Sequence, residues 1–199
     1  MIDPSEIKDI QERLTVSDDQ AAYIRLYRIY FSPLLQFART YVWSLPEAEE
    51  IISDIFLHVW EIRHRLNTIR HLTVYLYTAV RNASLNHLNK QRKNSTIFLD
   101  EDTLNLPGSL TDPEQYCINS QLVKGIEQAV RQLPPRCQTI FRLVREEGLR
   151  YKEVAAILDI STKTVEAQMG IAMKKLSEAI QPYTGEKPAA TPVRSLQKK

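Results

Sequence analysis

Leu149-Arg150-Tyr151-Lys152-Glu153-Val154-Ala155-Ala156-Ile157-Leu158-Asp159-Ile160-Ser161-Thr162-Lys163-Thr164-Val165-Glu166 is the stretch whose reading decides the fold. Tyr151, Val154, Ala155, Ile157 and Leu158 give a short helix one buried face. The small Ala155 lets a second helix approach closely. Asp159-Ile160-Ser161 makes a tight turn, with Ile160 entering the core. Ser161 then caps the second helix, because its hydroxyl can accept a bond from an orphan backbone N–H. Two helices joined this way form a helix-turn-helix, whose second member lies in the major groove of DNA. An ordinary helical hairpin is the plainer alternative.

The polar residues fall where groove binding needs them. Thr162, Lys163, Thr164, Glu166, Ala167 and Gln168 lie at the N-terminal end of the second helix, where such helices meet base edges and phosphates. Gln can pair with adenine and Glu can accept from cytosine. Arg150 and Tyr151 open the first helix, and Lys174 lies farther along the second, facing phosphates.

The 199 residues suffice for one large domain or two small ones. Net charge is only +2, so any DNA-binding surface must come from local clustering. Helix formers dominate and there are only five glycines, which predicts an all-α fold. Cys117 and Cys137 have neither disulfide-framework nor metal-ligand spacing and read as free thiols of a reducing compartment. No apolar signal stretch or membrane-length apolar run stands in the chain, so the expected location is the cytoplasm.

Working upstream, apolar residues at three- and four-residue steps predict a helix over 19–42, broken at Pro33. A second helix is predicted over 46–65, with Ser44 as its cap and Ile51, Ile52, Ile55, Phe56, Val59 and Trp60 as its apolar face. A third runs over 73–90, separated from the second by a break at 67–71. Two small helical domains follow, at 10–93 and 114–181. They are joined by a flexible acidic linker over 94–113, and a disordered tail occupies 182–199.

Two surfaces carry further chemistry. Residues 63–93 hold Arg63, Arg65, Arg70, Arg81, Lys90, Arg92 and Lys93 with no acid, interleaved with aromatics and amides. Cations for phosphates and flat groups for unstacked bases are what single-stranded DNA requires. Tyrosines at helical spacing equally suit a core. Glu50, Asp54 and His58 recur at four-residue steps on the second helix. They read as an acidic docking face beside Phe56, with a metal site and a plain solvated face as alternatives. No nucleophile–base pair and no Gly-rich phosphate loop stands in a recognisable motif. Neither catalysis nor a cofactor is expected.

Taken in order, these segments resemble the extracytoplasmic-function (ECF) sigma factors of the sigma-70 family. Ala48-Glu49-Glu50-Ile51-Ile52-Ser53-Asp54-Ile55-Phe56-Leu57-His58-Val59-Trp60 looks like the family's polymerase-binding helix. Tyr75-Leu76-Tyr77-Thr78-Ala79-Val80-Arg81-Asn82 looks like its promoter-melting helix. Leu133-Pro134-Pro135-Arg136-Cys137-Gln138-Thr139-Ile140-Phe141 resembles the start of its C-terminal domain. The likeness spans roughly residues 10 to 180.

The resemblance implies an alternative sigma factor with no bond chemistry and no small-molecule substrate. Glu49, Glu50, Ser53, Asp54 and Phe56 would bind the clamp helices of the largest polymerase subunit. Asn67, Thr68, Arg70 and His71 would capture a flipped minus-ten base. Tyr75, Arg81, Asn82, Asn86 and Lys90 would hold the duplex edge and non-template strand. Arg150, Tyr151, Ser161, Thr162, Lys163, Thr164, Glu166, Ala167, Gln168 and Lys174 would serve the minus-thirty-five element, and the same domain would touch the polymerase flap. The linker would run through the RNA exit region. The family often has Gln where Ser53 stands, Trp where Tyr75 stands, and a more basic recognition helix. Lys-Thr-Val-Glu-x-Gln-Met-Gly is similar to the expanded Bacteroidetes group, which implies a membrane-spanning anti-sigma factor as partner. A helix-turn-helix regulator outside polymerase leaves the acidic and basic surfaces unexplained. A helical metalloenzyme using Glu50, Asp54 and His58 predicts stoichiometric bound metal.

Overall fold

The computed structural model describes residues 3–94 and 121–184, and every regular element among them is helical. The first helix, α1 (Pro4–Ser17), has no counterpart in the sequence reading, and the boundary expected at residue 10 falls inside it. Its local signals are plain: Asp3 accepts from the Ser5 N–H at 2.9 Å, Pro4 stands in the first turn, and Ile7, Ile10 and Leu14 are buried.

α2 (Gln20–Ala38) starts on Asp19, which accepts from the Ala21 and Ala22 N–H groups at 2.8 and 3.2 Å. The helix continues through Pro33, where the sequence predicts a break. Proline forfeits one backbone bond there, while Tyr30 and Leu34 are fully buried on either side of it. The helix closes at Ala38 rather than residue 42, and the Tyr41 and Val42 N–H groups turn back to the Ala38 carbonyl. α3 (Leu45–Glu61) is capped by Ser44, whose hydroxyl is 3.5 Å from the Glu47 N–H. It ends four residues before the expected 65, because Ile62 leaves helical geometry and the chain tightens into a 3-10 helix, Arg63–Thr68. α4 (Leu72–Asn94) follows. Leu26, Ile52, Leu66 and Leu76 meet in one core. The Tyr30 hydroxyl is buried among them, 2.6 Å from Thr73 Oγ1, and burial pushes its pKa up to about 12.

The second group comprises α5 (Gln121–Arg131), α6 (Pro135–Arg145), α7 (Tyr151–Leu158) and α8 (Thr162–Thr184). α8 therefore reaches past the expected 182 boundary. The linker expected over 94–113 and most of the tail lie outside the described residues, as does Cys117. Ile140, Ile157, Val165 and Met169 form the buried centre, and Cys137 is a buried free thiol whose pKa burial raises. No described helix is long and apolar enough to cross a membrane.

α7 packs on α4, so that the two groups share one continuous buried cluster. Tyr77 of α4 is 1% exposed, its ring edge-on to Phe37 and its hydroxyl beside the Glu147 carboxyl. Arg81 lies 3.7 Å from Asp159, His71 lies 3.8 Å from Glu153, and Arg142 donates to Gln36 at 3.3 Å. Burial pushes the Glu147 carboxyl above its ordinary 4.5, and the bond from Tyr77 pulls part of the way back. The folded chain then holds a proton that the unfolded chain has released, so stability falls as pH rises from 4.5 through the raised value. Glu147→Gln should flatten that decline in thermal melts taken between roughly pH 4 and 7. An unchanged slope would mean that another group carries it.

Candidate nucleic-acid interface

The helix-turn-helix forms as its residues dictate. α7 ends on Asp159, whose φ of 55° is left-handed, a conformation that a short polar side chain tolerates. The Ile160 N–H returns to the Ala155 carbonyl at 3.0 Å, and Ile160 packs against the core. Ser161 Oγ accepts from the Thr164 N–H at 3.0 Å, so the expected cap is in place. At the other end of the motif, the Glu153 carboxylate accepts from the Arg150 N–H at 2.7 Å and closes the first turn of α7. Val165 and Met169 anchor α8, which leaves Thr162, Lys163, Glu166, Ala167 and Lys174 exposed and Thr164 and Gln168 half-buried. Tyr151, expected on the buried face of α7, is 37% exposed instead. It stands in the first turn beside Arg150, and Val154, Ala155 and Ile157 are the buried residues of α7, with Leu158 packed at their edge.

Gln168 sits one turn inside this edge, so a groove contact should be specific. Gln168→Ala should cost about 1–3 kcal/mol of discrimination at one or two base pairs, read by competition between duplexes differing singly. A uniform loss across all duplexes would make it a phosphate-positioning residue.

The second surface lies on the 3-10 helix and α4. Asn67, Thr68, Arg70 and His71 are exposed around Leu66, which is completely buried and pins their segment to the core. Asn82, Asn86 and Lys90 follow at four-residue steps on α4, all exposed, so amides and a cation share one stripe. Tyr75 is half-buried, and burial raises its pKa. Arg81 is mostly covered, facing Asp159 and lying 3.5 Å from Asn82 Oδ1. Arg63 belongs to the fold instead: its guanidinium stacks 4.5 Å above the Trp60 ring and bonds Asp18 at 2.6 Å, which lowers the Asp18 pKa.

The third surface is the acidic face of α3. Glu49, Glu50, Ser53 and Asp54 are exposed, although the Ser53 hydroxyl turns back to the Glu49 carbonyl at 2.8 Å. Phe56 does not belong to this face. It is 2% exposed, with its ring 4.7 Å from Tyr27 and its carbonyl accepting from Tyr23 at 2.9 Å. α2 covers that side of α3, and the apolar residue exposed beside the carboxylates is Leu57, at 61% one residue on. The helical spacing leaves Leu57 off the apolar face, and α2 packs on the other side of α3. His58 faces Glu61 at 3.5 Å, and no described group of three or more His, Cys, Asp or Glu residues is placed to hold a metal ion.

Comparison with known proteins follows the same division of the chain. The sigma-70 region 2 family model matches residues 26–94, and the sigma-70 region 4 model matches residues 124–176, together more than half of the chain. The chain is 21% identical over 193 residues to the RNA polymerase sigma-H factor of Pseudomonas aeruginosa, covering 94% of this chain and 100% of that one. It is 22% identical over 160 residues to the ECF RNA polymerase sigma factor SigW of Bacillus subtilis, covering 76% and 84%. The fold is similar to that of CnrH in complex with the cytosolic domain of CnrY, with a TM-score of 0.52 and 16% identity over 90% of this chain and 99% of that one. It is also similar to RpoE in complex with the anti-sigma factor NepR from Bartonella quintana, with a TM-score of 0.53 and 18% identity over 80% and 96%. With an acidic α3 face, a pinned exposed loop ahead of α4 and a capped helix-turn-helix in the family's order, the chain belongs to the sigma-70 family, among its ECF members.

Proposed function

We propose that the chain acts in the cytoplasm as an alternative sigma factor that binds core RNA polymerase, directs it to chosen promoters and helps to open them. The supporting observation is the division of labour on consecutive elements of the first domain. α3 exposes carboxylates around Leu57, while the 3-10 helix and α4 expose cations and amides and no acid. A lone duplex-binding regulator has no use for the first surface. Glu49, Glu50, Ser53 and Asp54 then meet the clamp helices, with Leu57 supplying the apolar contact. Asn67, Thr68, Arg70 and His71 take a flipped minus-ten base, and Asn82, Asn86 and Lys90 hold the backbone beside it. Unstacking that base exposes a flat face and two edges, which the amides and Tyr75 can meet. Bonds are neither made nor broken by the chain itself.

The arrangement of α7 on α4 has a consequence for this function. Minus-ten and minus-thirty-five elements are about 25 base pairs apart, or roughly 85 Å of straight duplex. Docked domains cannot reach both, so they must separate on the promoter. Residues 95–120 span at most about 90 Å when extended, which suffices. In the docked form, Asp159 stands beside Arg81, where a phosphate would lie, and Glu153 beside His71, where the flipped base would lie. The docked form is therefore the inactive one, and an anti-sigma factor, membrane-spanning as the resemblance implies, would act by holding it.

Run-off transcription with purified core polymerase and a promoter library tests the proposal. Initiation from a defined subset of promoters is expected. No initiation, together with no polymerase in a pull-down, would remove the assignment.

A further inference from the structure

The segment proposed to capture the minus-ten base is shaped from beneath by a helix that the promoter reading leaves without a task. α1 lies against the 3-10 helix, and its Gln11 is 7% exposed among Ile7, Ile10 and Leu14. The side-chain amide donates both of its hydrogens to main-chain carbonyls, to Leu66 O at 2.7 Å and to Ile69 O at 3.0 Å. These two carbonyls bracket Asn67 and Thr68. One turn along α1, the Thr15 hydroxyl donates to the Gln11 carbonyl at 2.7 Å and lies 3.2 Å from the Arg63 carbonyl at the start of the same 3-10 helix. The main chain from Leu66 to Ile69 is thus held on its protein side at two carbonyls, while Asn67, Thr68, Arg70 and His71 are exposed.

We infer that Gln11 is a positioning residue for minus-ten recognition, fixing the separation of the Leu66 and Ile69 carbonyls and so the shape of the base-capturing loop. The inference rests on the promoter reading above. Packing alone does not require glutamine here, since a methionine of similar volume would fill the same site among apolar neighbours. The amide adds two donors in a fixed plane. A planar NH2 group can satisfy two acceptors only at one spread and one orientation, so it selects one loop conformation among those that bury Leu66. A flipped base is read by contacts that tolerate little displacement, and a loop free to sample other shapes would bind it with less preference.

Gln11→Met keeps the volume and removes both donors; Gln11→Asn keeps an amide but shortens its reach. Holoenzyme assembled from the full chain and core polymerase would transcribe two promoter series. One is permuted a base at a time through minus-ten, the other through minus-thirty-five. Both variants should lose discrimination at one or two minus-ten positions by about tenfold, with minus-thirty-five ratios and polymerase affinity unchanged. A purely structural role would instead lower every promoter by a common factor and leave the ratios intact, which would overturn the inference. Failure of both variants to assemble with polymerase would overturn it too, making Gln11 a folding residue. Wild-type indifference to minus-ten bases would strike the promoter reading itself. Wild-type discrimination preserved in both variants would strike only the role of Gln11.

Discussion

Asp54→Arg should abolish binding to core polymerase while leaving the helical fold and its melting temperature almost unchanged. Asp54 is exposed on α3, flanked by Glu50 and Ser53, and makes no ion pair among the described residues. Its core neighbours, Ile52, Ile55 and Phe56, face the other way and do not depend on it. A surface substitution of this kind usually shifts stability by less than about 0.5 kcal/mol. At an interface the same change places a cation where the partner has been selected to meet a carboxylate. Truncating or reversing a central charged contact costs about 2–4 kcal/mol or more, a loss of roughly 30- to 1,000-fold in affinity. Titration of labelled core polymerase with the wild type and the variant, with circular dichroism melts of each, separates the two effects. Full affinity in a folded variant would move the polymerase contact away from α3. Leu57→Ala provides a graded companion, with a smaller loss expected because it removes apolar area and reverses no charge.

Ile157→Asp should unfold the second domain and spare the first. Ile157 is completely buried under Val154 and Val165 at the junction of α7 and α8. A carboxylate there has no partner, and burying an unpaired charge costs several kcal/mol even after local relaxation. That is a large part of the stability of a domain this size, so the helix-turn-helix cannot survive it. α2, α3 and α4 pack on one another around Leu26, Leu34, Ile52 and Leu76, their own part of the shared cluster, and the contacts they lose are those of Tyr77 and its neighbours at the docking surface. The variant should lose helical signal and all binding to minus-thirty-five duplex. It should retain affinity for polymerase through α3 and for a minus-ten single strand through α4. Cooperative loss of the whole chain would show that the docking of α7 on α4 makes the two halves one folding unit.

Much of this molecule was legible from local pattern. The helix-turn-helix followed from a buried face at helical spacing, a tight turn over Asp159-Ile160-Ser161 and a serine able to cap, and each is a property of a few adjacent residues. Helix starts at Ser44 and Ser161 were correct for the same reason. Helix ends were less so. α3 stops at Glu61 and not at residue 65, because the chain tightens to bring Leu66 into the core, where the 3-10 helix packs on α1 and α3. α1 itself had a cap, a proline in its first turn and three spaced apolar residues, all readable in principle. Their reason for burial, the 3-10 helix that α1 covers, lies more than fifty residues away.

The candidate site divides along the same line. By itself the sequence determined that the chain is helical, that it carries a DNA-reading motif, and that acid and base are segregated onto successive helices. Periodicity, capping and charge order are written in neighbouring residues. Only the tertiary structure decided that α2 covers Phe56 completely and so removes it from the docking face, because helical spacing defines a stripe without saying which partner covers its edges. It alone brought Gln11 beneath the Leu66 and Ile69 carbonyls, and Asp159 against Arg81. Those contacts join residues far apart in the chain, whose meeting depends on how whole helices pack.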